Sequence, residues 1–327
     1  LKLGSIKNSN SKDGSLVVIS KDLKKAVLAT DIAPNLREAL ESWTLCAPKL
    51  EKKYSELNEN KLNDAFDFSS KEVLSALPRT WLFADGSSFI YHVKLVRKAR
   101  NAPLPETLTT VPLMYQGECG AFLNPTGDIP QVDFSHGTDF EGEVGVVVDD
   151  VPMGTDPQTA LKHIKLVLLI NDVSLRGLIP EELAQGFGFF QSKPASALSP
   201  VAVTPDELGN AWREGRVHLP LTVNYNQNFF GKANAGEMHF HFGQLISHAA
   251  KTRNLAAGTI IGSGTVSNED HSKGSSCLAE KRMIEQIEKG KIETPFMKVG
   301  DTIEIFMKNE KDENIFGTIH QTVRKKN

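Results

Sequence analysis

Hydrophobic positions in this chain gather mostly into short runs of period two or none, bounded by Gly, Pro and charge, and only here and there into helical spacing. The runs at 15–20 and 25–30 predict two short strands around a polar Lys-Asp turn. Between 35 and 46 the period changes: Leu36, Ala39, Leu40 and Trp43 share one helical face. Pro48 is expected to end that helix, with a charged second helix over 49–58. The polar stretch 58–71 predicts a surface connection, and Leu77-Pro78 a boundary. The organisation expected is a small α+β N-terminal domain over 1–77 and a larger domain over 78–327.

That larger part predicts strands at 142–148, 166–171, 201–203, 219–225, 259–262 and 302–306. Helices are fewer: one begins at the Asp156-Pro157 cap and runs to His163, and another covers 243–251. Many strands with Gly and Pro punctuation predict a mixed β-rich fold rather than alternating βαβ units.

With 327 residues the chain can bury a sizeable core, and 40% hydrophobic with 24% charged residues is ordinary for a globular protein. A net charge of −3 gives no field for steering the chain to nucleic acid or an acidic membrane. The three cysteines, Cys46, Cys119 and Cys277, are few and far apart, which predicts a reducing cytoplasm with no disulfide framework and no thiolate metal site. No apolar run reaches membrane-spanning length, and the N-terminal residues show no signal-peptide core. The chain begins at Leu1, so an initiator methionine is expected upstream.

Chemistry concentrates in four carboxylates. Glu141 and Glu143, in Asp-Phe-Glu-Gly-Glu-Val-Gly-Val-Val-Val, lie two apart on a predicted strand and so share a face. Asp172 ends the apolar run 165–170, and Asp85 sits in Trp-Leu-Phe-Ala-Asp-Gly. Alone, Glu-x-Glu on a strand is most often a solvated outer face. Here Val144 and Val146–Val148 are too apolar for a wholly wet strand. Buried acids must be protonated or share a cation, and an all-oxygen set suits Mg²⁺, Ca²⁺ or Mn²⁺ rather than zinc.

Over roughly residues 78–308 the sequence resembles the fumarylacetoacetate hydrolase family, with motifs matching in order and spacing. The resemblance implies that Asp85, Glu141, Glu143 and Asp172 bind a divalent cation. It implies that His92, seven residues after Asp85, is the general base, oriented by Glu280 in Ser-Ser-Cys-Leu-Ala-Glu. Arg176 and Lys193 fall on cationic positions near the substrate, Gly264-Thr265 on a turn beside it, and Ser196 on a hydroxyl near the metal. One position departs: Ile179 stands where the family's fumarylacetoacetases carry glutamine, and the loop 178–192 lacks the expected tyrosine. The fold implied is the family's β-rich C-terminal domain after a small N-terminal one, usually as a homodimer.

The residue types suit cleavage of a 1,3-diketone by water. That reaction needs a cation to hold the diketo oxygens, a neutral histidine to take a proton from water, and fixed donors for the developing alkoxide. The leading expectation is a hydrolase of fumarylacetoacetate or a related diketo acid, in aromatic amino-acid breakdown. Alternatives are an acylpyruvate hydrolase, a metal-dependent decarboxylase or isomerase of the same family, or a non-catalytic protein with a structural cation. Blander readings stand beside each residue. His92 could be a buried hydrogen-bonded histidine, Arg176 and Lys193 structural partners of the acids, and Glu280 part of a solvated helix face. Tyr115 is either a pocket wall or a core aromatic. The segment 186–190 is either a closing lid with glycine hinges or an ordinary loop with packed aromatics. His239-x-His241 has strand spacing for a transition metal but no third ligand nearby. Gly262-Ser-Gly264 is too short for a dinucleotide fingerprint.

Overall fold

The apolar run at 165–170 becomes strand Ile164–Asn171, which lies within the main sheet of the computed structural model; residues 1–99 and 103–326 are described. It pairs antiparallel with Gly142–Val148, placing Glu143 opposite Ile170 and Gly142 opposite Asn171. Beyond Gly142–Val148 the sheet continues through Ile260–Gly262 and Phe83–Gly86 to Met114–Gly117. In the other direction come Ala202–Val203, Lys2–Asn8, Ser11–Ile19, Lys25–Leu28 and Phe66–Asp67, and Ala197–Leu198 pairs with the end of Ile164–Asn171. A single 11-stranded sheet therefore crosses Leu77-Pro78, because Leu3 pairs with Ala202.

Both faces of this sheet are covered, which is why its central strand reads as unbroken hydrophobicity rather than alternation. Leu166, Leu168 and Ile170 face a core shared with Leu36, Leu40 and Leu50. Val167 and Leu169 face a second core. That core includes Leu221, Val223, Ile303 and Ile305 of a five-stranded sheet, and Phe242, Leu245 and Ile246 of helix Phe242–Ala249.

The N-terminal region differs from expectation in two places. Strand Lys2–Asn8 has no alternation to announce it, and it is held between Ser11–Ile19 and Ala202–Val203. Pro48 does not stop a helix. Asn35 caps Leu36–Glu41, the chain breaks at Ser42, and Pro48 lies inside the following helix, Trp43–Asn58. Pro48 lacks the N–H that would bond the carbonyl four residues back, but the buried face of Cys46, Ala47, Leu50, Tyr54 and Leu57 holds the helix against the sheet. Among the described residues no helix is long and apolar enough to cross a membrane.

Candidate metal centre and active-site cavity

Strand register gathers the acids at one end of the large sheet. Phe83–Gly86 and Ile260–Gly262 run parallel, with Asp85 beside Gly262 on one flank and Tyr115 on the other. Asp172 directly follows strand Ile164–Asn171, and its backbone N–H bonds the Glu141 carbonyl at 2.9 Å. Asp85, Glu143 and Asp172, all buried, can bring one carboxylate oxygen each within 4.8 Å of the others. Neither oxygen of Glu143 has a hydrogen-bond partner. Two buried, unpartnered carboxylate oxygens beside two further acids are costly unless a proton or a cation sits among them.

The electrostatics agree. Burial and the neighbouring Asp172 push Asp85 up to about 8. Glu143 lies well above the usual carboxylate range through burial and through Asp85 and Asp172. Asp172 is also raised, chiefly by burial. These three side chains suit a hard divalent cation, which would be held by their oxygens alone.

Glu141 behaves differently. Its two oxygens accept from Arg176 Nη2 at 2.5 Å and from Lys193 Nζ at 2.6 Å. Burial favours its neutral form, but Lys193 and Arg176 outweigh burial and hold its pKa well below the ordinary value. Of the four acids expected at the metal, the structure therefore brings three into one group and turns the fourth toward two protein cations. Lys193 itself is enclosed: its ammonium also donates to Asp172 at 2.6 Å and to Ser174 at 2.8 Å. Ser196 donates to the other oxygen of Asp172 at 2.7 Å, and the Tyr115 hydroxyl donates to Asp172 at 2.5 Å.

Against these acids opens a cavity of about 230 Å³, whose walls include His92, Tyr115, Arg176, Ile179, Phe189 and Thr265. His92 stands on helix Ile90–Ala99, and its Nδ1 lies 2.9 Å from Glu280 Oε2. Glu280 is only 1% exposed, so the solvated reading of Glu280-Lys281-Arg282 fails at its first residue. Helix Leu278–Lys289 places Glu280 on its buried side with Leu278 and Ile284. The helix starts beside Glu141, since Cys277 bridges Glu141 across the backbone. Gly264 has φ +79°, a Cβ there would collide with the Gly86 carbonyl, and its N–H donates to Asp85 at 3.0 Å. Thr265 shares the wall with its hydroxyl uncommitted among the described residues.

Residues the sequence did not single out complete the site. Asp139, buried, accepts from Arg176 Nε at 2.9 Å and from the first amides of the Glu280 helix, Leu278 at 2.8 Å and Ala279 at 2.9 Å. The signal was available: Asp139, Glu141 and Glu143 keep one two-residue alternation. Phe189, in the loop 178–192 that lacks the expected tyrosine, packs edge-on to Tyr115 with ring centroids 5.2 Å apart. It belongs to the segment 186–190, in which Gly186 and Gly188 have positive φ while Phe187 and Phe190 project into solvent. His239 and His241 are not on a strand. His239 bonds the Thr109 carbonyl at 2.9 Å, and His241 caps helix Phe242–Ala249, so the pair forms no metal group.

Comparison with known proteins now decides the lineage. Residues 82–324 match the family described as fumarylacetoacetate (FAA) hydrolase C-terminal, and residues 1–79 match fumarylacetoacetase N-terminal domain 2. The chain belongs to the fumarylacetoacetate hydrolase family. It is similar to 2,4-didehydro-3-deoxy-L-rhamnonate hydrolase of Sphingomonas sp. (strain SKA58), 27% identical over 168 residues, which are 50% of this chain and 55% of that protein. The chain thus spans about half the length of the curated relatives it matches. Its fold is similar over the whole of both chains to maleylpyruvate hydrolase from Sphingobium sp. SYK-6 in complex with manganese(II) ion and pyruvate, with TM-score 0.66 and 13% identity. It is likewise similar to 5-carboxymethyl-2-hydroxymuconate delta-isomerase from Mycobacterium smegmatis, TM-score 0.62 and 16% identity over all of both chains.

Proposed function

We propose that this family member is a divalent-metal-dependent hydrolase that cleaves the carbon–carbon bond of a 1,3-diketo acid, of the fumarylacetoacetate or acylpyruvate type. The observation that carries the proposal is His92, bonded to Glu280, on the wall of a cavity that Asp85 and Glu141 also line. A structural cation needs no such pair, and isomerisation needs no attacking water.

Asp85, Glu143 and Asp172 would hold the cation, with Mg²⁺, Ca²⁺ and Mn²⁺ all compatible with their oxygens. When bound, such a cation supplies Lewis acidity toward the oxygens of a chelating diketo acid. Glu280 accepts the Nδ1 proton of His92, which leaves Nε2 as the base toward the cavity. His92 Nε2 takes a proton from water as the water oxygen bonds to the distal carbonyl carbon. The bond from that carbon to the central carbon then breaks, its electron pair remains on the central carbon as an enolate, and the His92 proton returns to that carbon. A carboxylic acid and a methyl ketone acid leave.

The positive charges of Arg176 and Lys193 favour the anions that develop, although their N–H groups toward Glu141 and Asp172 are already engaged. Thr265 offers the uncommitted hydroxyl for a substrate oxygen. Ile179 presents an alkyl wall in place of an amide donor, which suits a less polar acyl chain. The manganese and pyruvate named for the maleylpyruvate hydrolase fit the same chemistry.

The test is loss of the ultraviolet diketone absorbance across a panel of acylpyruvates and fumarylacetoacetate, with Mg²⁺, Mn²⁺ or chelator, and with product analysis. Metal-dependent release of two acids is expected. A product of unchanged mass, or release of carbon dioxide, would replace hydrolysis with isomerisation or decarboxylation.

A further inference from the structure

Arg176 is a wall between two cavities. On the side away from the buried acids lies a second space of about 420 Å³, lined by Phe134, Ser135, Arg176, Arg282, Met283 and Phe296 among others. Among the described residues its walls carry two guanidinium groups and no carboxylate.

Arg282 is the telling residue. Its guanidinium carbon lies 4.1 Å from the Phe296 ring centroid, and one of its N–H groups donates to the Thr294 carbonyl. It is half-buried, yet among the described residues no carboxylate lies within ion-pair distance, Asp139 and Glu285 acting on it only from farther away. Arg176, by contrast, has two. A partly desolvated guanidinium without a close, hydrogen-bonded counter-ion is unfavourable, and a carboxylate binding bidentately would relieve it. Burial lowers the Arg282 pKa, and Asp139 and Glu285 offset this only in part. The remaining walls are uncharged: Phe134 is 56% exposed at the rim, and Phe296 stacks beneath the cation.

We propose that this second cavity binds a small monocarboxylate with a flat apolar body, its carboxylate on Arg282 and its body against Phe134 and Phe296, separately from the substrate cavity. The site does not depend on the proposed hydrolysis, since it needs neither the metal group nor His92.

Benzoate is the probe, titrated calorimetrically into the full chain with chelator present. Saturable binding in the millimolar range or tighter is expected. Arg282→Gln should weaken it about tenfold or more, the loss of a charge-assisted pair. Phe189→Ala, which alters only the substrate cavity, should leave it unchanged. Should Arg282→Gln fail to fold, judged by circular dichroism, Arg282→Lys takes its place and should weaken binding by removing the bidentate fork. No saturable binding, unaltered binding in the Arg282 variant, or equal weakening by Phe189→Ala overturns the site.

Discussion

Gly262 and Asp85 lie side by side in parallel strands, and a Cβ on Gly262 would collide with the Asp85 carboxylate. The same Cβ would approach Glu143 Oε2 to 3.2 Å. The glycine that looks like a fragment of a nucleotide motif thus makes room for two of the three clustered acids. Gly262→Ala should push Asp85 from its position and cost about 1–3 kcal/mol by overpacking. Calorimetric Mg²⁺ or Mn²⁺ affinity should fall about tenfold or more, as for other perturbed ligand supports. Affinity equal to that of the parent chain would remove Asp85 from the metal site.

The raised carboxylates give the metal-free protein a pH dependence of definite sign. Folding moves Asp85 from an ordinary 3.8 to about 8, and Glu143 shifts in the same direction. The folded state therefore binds more protons than the unfolded chain over that window, and its stability falls as pH rises through it. A cation must displace those protons, so its apparent affinity should rise over the same range. Thermal melts between pH about 5 and about 8 should show the gap between chelated and Mg²⁺-loaded protein widening with pH. Glu143→Gln should raise the melting temperature of the chelated protein at the alkaline end and abolish the response to metal. A gap independent of pH would mean that these acids do not share a cation.

How much of this could be read from the chain varies with the kind of signal. Strand 142–148 and the core of 166–171 were legible because their apolar runs are long, and the cap at Asp156-Pro157 because its chemistry is local. The carboxylates could be placed together because each ends or interrupts such a run. Strand Lys2–Asn8 was hidden, since Gly4 and Ser5 interrupt any apolar pattern and one of its edges is completed by Ala202 and Val203, about two hundred residues away. Glu280 reads as surface because Lys281 and Arg282 follow it, and only the packing of its helix against His92 buries it. The capture of Glu141 by Arg176 and Lys193 depends on side-chain reach across three segments, which spacing along one of them does not encode.

The His92–Glu280 pair should separate catalysis from metal binding. Glu280→Gln keeps the volume and can still bond the ring, but it no longer stabilises the imidazolium that forms when His92 takes a proton. Turnover of the best acylpyruvate should drop by about 10²–10⁴, the range for losing general-base assistance. Metal affinity should be retained, because Glu280 bonds none of the three clustered acids. A Glu280→Gln chain of undiminished kcat would make the pair a packing feature and favour a reaction without an attacking water.

Asp139 should matter to both halves of the site at once. It holds Arg176, which holds Glu141, and it also accepts the first two amides of the helix that carries Glu280. Asp139→Ala leaves Arg176 buried with one partner fewer and strips the helix N-terminus of its acceptor, so a loss of about 3–5 kcal/mol is expected. Asp139→Asn keeps one carbonyl for the helix amides while removing the charge opposite Arg176, and it should lose less stability than Asp139→Ala. Chemical denaturation of both variants measures the difference. With Asp139→Asn folded, lowered turnover at unchanged metal affinity would show that Asp139 acts through Arg176 and through the helix that carries Glu280, whereas a defect confined to stability would limit it to holding the helix in place.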